Sequence, residues 1–226
     1  MLFRSMGDRF IADMSLFASY TTSNLTTVKI ASYHHTISCT LSGTFIEKFR
    51  PLLSRRRLQV VWLELQPYHF DLYPEDIRCL GRAWKSLQVL HISFQSRNLA
   101  LNDTPTLEYT LTELSHSCRH IRYIHLPAMA TGLHHASPIN LPTLPSSELK
   151  HLSSDRLRCK HKPFNVAAAL YTALPGLAEA VPHYQWEASK WDTINIFLVA
   201  IRNAGSVAAV EQILARAMLV RSRERS

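Results

Sequence analysis

One spacing of apolar residues recurs along the chain: an apolar position, a second three residues on, and a third two beyond that. It is filled by Leu25, Val28 and Ile30, by Leu58, Val61 and Leu63, by Leu87, Leu90 and Ile92, and by Ile121, Ile124 and Leu126. A fifth copy starts at Leu149 and Leu152 with Ser154 in third place, and a sixth at Leu177 and Ala180. Between first positions the steps are 33, 29, 34, 28 and 28 residues, the period of a long leucine-rich repeat. The last two apolar positions of each copy are two apart, so they share one face of a short strand. Each copy therefore predicts a half-buried strand.

Between the copies the apolar residues fall at helical spacing: Ile46, Phe49 and Leu53; Ile77, Leu80 and Trp84; Leu107, Leu111, Leu114 and Cys118; Val166, Leu170, Ala173 and Leu174; Trp191, Ile194, Leu198 and Ile201. Each set is one stripe on a helix. Pro74 followed by Glu75 and Asp76 opens one helix, and Pro163 opens another, because proline lacks the amide a first turn leaves unpaired and acids suit the positive end of the dipole. Gly205 closes the helix that Trp191 begins, a place that commonly needs a left-handed residue. Strands separated by helices cannot pair through tight hairpins, so they are expected to run parallel.

The predicted fold is an α/β, leucine-rich-repeat-like solenoid with parallel strands on its concave face and helices on its convex face. It spans residues 1–204, with an irregular Pro-, Ser-, Thr- and His-rich loop at 127–147, and residues 205–226 form a C-terminal helix and basic tail. Arrays need capped ends. The first 20 residues, where Phe10, Met14 and Phe17 already suggest a repeat helix, are expected to serve as one cap.

Composition agrees with a folded chain: 226 residues, 46% hydrophobic and 19% charged, enough to bury a core without disulfides. Cys39, Cys79, Cys118 and Cys159 form no CxxC pair and are expected to be reduced core thiols. Asp8, Arg9 and Asp13 interrupt the N-terminal apolar stretch, so neither a signal peptide nor a membrane span is expected, and the location expected is cytoplasmic or nuclear. The formal charge of +8 gathers in Arg55, Arg56 and Arg57, in 156–162, and in Arg216, Arg221, Arg223 and Arg225.

No constellation for catalysis is present. There is no Gly-x-Ser-x-Gly turn, no Walker pattern and no dinucleotide fingerprint, so neither an activated nucleophile nor a cofactor loop is expected. The best metal arrangement is His116, Cys118 and His120 with His125 nearby, but Cys118 belongs to the apolar stripe, which turns the two histidines to other faces. Cys159 and His161 would need two further ligands. The expectation is no enzyme, no metal and no cofactor.

Binding residues are sought instead on the strand face opposite the apolar one. Trp62 lies between Val61 and Leu63 and so points to that face, where an exposed aromatic would suit an interface centre. Lys29, Glu64, His91, Tyr123 and His125, with Thr27 and Gln59, complete a mixed polar and aromatic strip. These residues are the expected contacts for a protein ligand.

The pattern resembles the C-terminal leucine-rich region of fungal, mainly basidiomycete, F-box-like proteins. The resemblance is carried by Ala83, Trp84 and the Leu87 to Ile92 strand, by Thr110 to Cys118 leading into Ile121 to Leu126, by Val166 to Leu170 with Leu174, Pro175 and Leu177, and by Trp191 to Leu198 with Arg202. It implies the substrate-binding half of a ubiquitin-ligase receptor. No F-box-like Leu-Pro-x-Glu opening precedes the first repeat, so docking of a Skp-type adaptor is not expected from this sequence. The alternative is a nucleic-acid or acidic-surface binder using the basic segments, which steep salt dependence would reveal.

Overall fold

The computed structural model describes residues 24–32, 39–96, 103–131, 139, 141, 148–159, 161–178 and 190–223. The expected N-terminal cap, most of the 127–147 loop, and Ala180 of the sixth copy lie outside the described residues. In chain order the elements are β1 (Thr27–Ala31), β2 (Cys39–Thr44), α1 (Phe45–Leu53), β3 (Val60–Asp71), α2 (Pro74–Ala83), β4 (Val89–Ser96), α3 (Leu107–Ser117), β5 (Tyr123–Thr131), β6 (His151–Cys159), α4 (Pro163–Ala173), α5 (Lys190–Ala204) and α6 (Val207–Arg223).

All six strands belong to one sheet, ordered β1-β3-β4-β5-β6, with β2 also on β3, and each pairing is parallel. The protein is thus mixed α/β around a parallel sheet, as the alternation of strand and helix spacing predicts. The sheet is not curled, so the expected curvature, with its concave and convex faces, is not observed. Residues 127–131, expected to begin the irregular loop, instead complete β5.

The period seen in the sequence reappears as one repeated hydrogen bond. The amide of Gln59 donates to Thr26, Gln88 to Gln59, Arg122 to Gln88, Lys150 to Arg122, and Ala178 to Lys150, at 2.7 to 2.9 Å. Each donor directly follows the first apolar residue of its copy, so the first five copies lie side by side in chain order and the start of the sixth joins them. The sixth, weakest in sequence, holds its place through the Ala178 bond. Four junctions also repeat a turn: Leu58 donates to Arg55, Leu87 to Trp84, Ile121 to Cys118 and Leu177 to Leu174.

Register aligns the apolar residues in rows. Val28, Val61, Leu90, Ile124 and Leu152 form one row, and Ile30, Leu63 and Ile92 the start of the next. These rows and the helix stripes make one core. Helix ends dock on the preceding repeat, the Trp84 indole donating to the Leu52 carbonyl at 3.1 Å and the Cys118 thiol to the Trp84 carbonyl at 3.3 Å. Burial pushes the Cys118 thiol up to about 12, so it stays protonated and inert. Cys79 and Cys159 are only half-buried, which corrects the expectation of core thiols throughout; both are free.

Ser154, the apparent flaw in the fifth copy, has a physical reason. The fully buried Trp191 indole donates to its hydroxyl at 3.0 Å, and a leucine there would leave that N–H without a partner in the core. The stripes on α2, α3, α4 and α5 bury as predicted, whereas α1 buries Phe45, Phe49 and Leu52. Thr44 and Glu47 form a capping box that fixes the start of α1, and Phe45 packs against Phe49, Phe70 and Phe94. Gly205 takes φ 73° at the end of α5, the left-handed conformation expected there. No single described helix is long and apolar enough to cross a membrane.

The polar face of the sheet as candidate functional site

Opposite the apolar rows, register assembles a polar ladder. Lys29, Trp62, His91, His125 and Ser153 occupy one level across β1, β3, β4, β5 and β6. One level back toward the strand starts, Tyr123 faces His151; one level forward, Glu64 faces Ser93. The strip read from strand parity is therefore brought together. Gln59 differs: it precedes β3, and its carbonyl accepts the amides of Gln88 and Val89.

The rings stack because neighbouring strands bring them close to stacking distance. Trp62 and His91 lie 3.9 Å apart between centroids and 3° from parallel, His91 and His125 4.4 Å and 12°, and Tyr123 and His151 4.2 Å and 3°. Polar contacts then fix the edges. The Trp62 indole donates to Glu64 Oε1 at 2.8 Å, and His91 Nε2 lies 3.7 Å from the same oxygen. His91 Nδ1 lies 3.4 Å from the Tyr123 hydroxyl.

A second chain of contacts crosses to β6. His125 Nε2 is 3.0 Å from Asp155 Oδ1 and its Nδ1 is 2.8 Å from Ser153 Oγ, which is 2.8 Å from His151 Nε2. The Ser93 hydroxyl donates to Asp155 Oδ2 at 2.8 Å, and the Gln66 side-chain amide donates to Ser93. Each carboxylate anchors its own cluster, Glu64 beside Trp62 and His91, and Asp155 beside His125 and Ser93, an arrangement that lowers the cost of burying such groups. Burial, aided by the negative charges of Glu64 and Asp155, pushes the Tyr123 hydroxyl up to about 12, so it stays neutral near pH 7.

Burial divides the strip. Glu64, His91, His125 and Ser153 are closed off from water, at 6%, 0%, 0% and 0% exposure. Trp62, Tyr123 and His151 are half-buried, and Lys29 is exposed. Of the six residues expected to touch a partner, three (Lys29, Trp62 and Tyr123) present surface, while Glu64, His91 and His125 support them from within. The contacts of Ser153 with His125, and of His125 with Asp155, are those of an activated nucleophile in kind, but the burial of Ser153 and His125 closes that hydroxyl to a substrate.

Sequence reasoning missed Ser93, His151, Ser153 and Asp155. Their signal was the interval of 28 residues between His125 and Ser153, equal to the step between the fourth and fifth copies; it was hidden because the fifth copy is the one with serine in an apolar place. The metal candidates separate. Cys118 is in the core, His116 Nδ1 contacts the Thr112 carbonyl at 2.7 Å, and His120 lies 3.6 Å from Glu148. His125 belongs to the polar ladder. Among the described residues no group of three or more His, Cys, Asp or Glu could share a metal ion. The Cys159 thiol donates to the His161 carbonyl at 3.0 Å. The chain matches no protein-family model, no curated protein and no solved structure.

Proposed function

We propose that the chain is a non-enzymatic protein-interaction module, a leucine-rich-type α/β solenoid that holds a partner on the polar face of its sheet, like the substrate-binding part of an F-box-type receptor. The observation that carries this reading is the set of half-open rings, Trp62, Tyr123 and His151, each stacked on a neighbour and placed by strand register. An aromatic already locked in position loses little conformational freedom on binding, and such residues dominate the energetics of interfaces. Glu64 and His91 do the locking for Trp62, one through its indole N–H and the other across its ring face. Lys29, one strand over, adds a charge at the rim.

Proximity labelling in the native cell, with the intact chain and with Trp62→Ala, tests the reading. The expected result is a reproducible set of labelled proteins that the variant loses, with affinity for the most enriched of them falling about 30-fold, the equivalent of about 2 kcal/mol for an interface anchor. Melting temperature is measured alongside to show that the fold is intact. An unchanged protein set and unchanged affinity in a folded variant would contradict it.

A further inference from the structure

Three cations stand at one equivalent position in three successive repeats. Two residues before Leu58, Leu87 and Ile121, in the turn between helix and strand, come Arg56, Lys85 and Arg119, all exposed. Just past that apolar residue in the fourth and fifth copies, Arg122 and Lys150 are exposed as well. The amide ladder from Gln59 through Gln88 and Arg122 to Lys150 fixes the order of these repeats, so the cations follow one another along the edge where the strands begin.

Helix capping accounts for only part of this charge. A cation near a helix C-terminus is favoured by its dipole, but α1 and α2 already carry Arg50 and Arg82 in their last turns. Arg122 is engaged by Glu148 at 2.8 Å. Among the described residues no ion pair holds Arg56, Lys85 or Arg119. Like charges repeated along an edge raise the local potential and attract an oppositely charged chain.

We infer that this edge is a docking strip for an acidic stretch of polypeptide. The inference rests on the reading of the chain as a protein-binding module and adds the charge of the partner. An extended peptide places carboxylates of one side about 6.6 Å apart, within the range of roughly 5 to 10 Å set by neighbouring strands and neighbouring helices. A single-stranded nucleic acid fits less well, since it gains much of its affinity by stacking bases on aromatic faces. The one Trp, Tyr or Phe adjoining Arg56, Lys85 or Arg119 in sequence, Trp84 beside Lys85, is fully buried.

Fluorescence anisotropy with labelled decaglutamate tests the strip, using oligothymidylate of equal charge as the competing class. Two triple variants of identical net charge are compared: Arg56→Glu, Lys85→Glu, Arg119→Glu on the edge, and Arg156→Glu, Lys162→Glu, Lys190→Glu away from it, all at exposed positions. The expected result is at least a tenfold loss of decaglutamate affinity in the first triple and less than threefold in the second, both retaining the melting temperature. Equal losses in both, no binding by the unaltered chain, or tighter binding of oligothymidylate would overturn the inference. If decaglutamate fails while the Trp62-dependent protein set persists, the strip falls and the module reading stands; loss of that dependence refutes the module itself.

Discussion

Replacing Leu90 by alanine is expected to destabilise the fold by about 2 to 5 kcal/mol, the range for truncating a buried leucine to leave a cavity. Leu90 is fully buried at the centre of an apolar row, between Val61 of β3 and Ile124 of β5. Strands on both sides of it are hydrogen-bonded to its own, so the cavity cannot close by moving one strand without disturbing two pairings. Because Leu90 packs beside both Val61 and Ile124, loss there weakens two strand pairings together. Chemical denaturation should show the whole shift in the midpoint with little change in slope. A variant that melts like the parent would mean that Leu90 is not packed between repeats.

Asp76→Asn is expected to act in the opposite direction, raising stability at neutral pH by about 1 to 3 kcal/mol. Asp76 sits in the first turn of α2 at 7% exposure, and accepts the Tyr73 amide at 2.8 Å. Burial, with the nearby charges of Glu47, Glu75 and Asp71, raises its pKa from 3.8 to about 6, although the Tyr73 bond works against the rise. A carboxyl whose pKa is raised by folding favours the folded state below its unfolded value, and that contribution is lost as pH climbs through the folded value. The stabilisation from Asp76 is therefore present below about pH 4 and gone above about pH 6. Asparagine can keep the bond from Tyr73 through its side-chain carbonyl and carries no charge to desolvate. Melting curves should show the variant ahead of the parent at pH 7.5 and the advantage vanishing toward pH 4. A variant less stable than the parent at pH 7.5 would show that the carboxylate is better satisfied than its surroundings indicate.

What was legible in the sequence follows from what the period encodes. Strand rows and helix stripes repeat, so Val61, Leu90 and Ile124 could be placed in one row from spacing alone, and parity put Trp62, His91 and His125 on the other face. β2 was not legible. Its sequence Cys39–Thr44 lacks alternation, and it pairs only with the far half of β3, where Pro67 argues against a continuing strand. The register between β3 and β4 shifts between Leu65 and His69, as an irregularity around a residue without an amide would produce. The stripe on α1 was misplaced by one position at both ends because its partners, Phe70 and Phe94, lie far away in sequence.

The candidate site was legible as a face but not as a division between surface and support. Parity tells which side of a strand a residue faces, and says nothing about whether the ring beside it shuts out water. His91 becomes support because the register sets it beside Trp62, and Glu64 because it lies two residues on along the same strand face. The network through Asp155 escaped notice for a different reason. Polar residues in a repeat look like decay of the pattern, whereas here Ser153 and Asp155 complete the contacts of His125, and Ser154 on the opposite face completes those of Trp191.

Binding on the polar sheet face requires successive copies to lie against one another in chain order, so the most direct measurement is site-resolved amide hydrogen exchange by nuclear magnetic resonance on the intact chain. The amides of Gln59, Gln88, Arg122, Lys150 and Ala178 each donate to the preceding copy and are predicted to exchange at least a hundredfold more slowly than in an unstructured peptide, as amides released only by sub-global opening do. Exchange of these five at the unstructured rate, while helix amides such as those of Leu80 and Leu114 stay protected, would show folded helices without a stack and contradict the account.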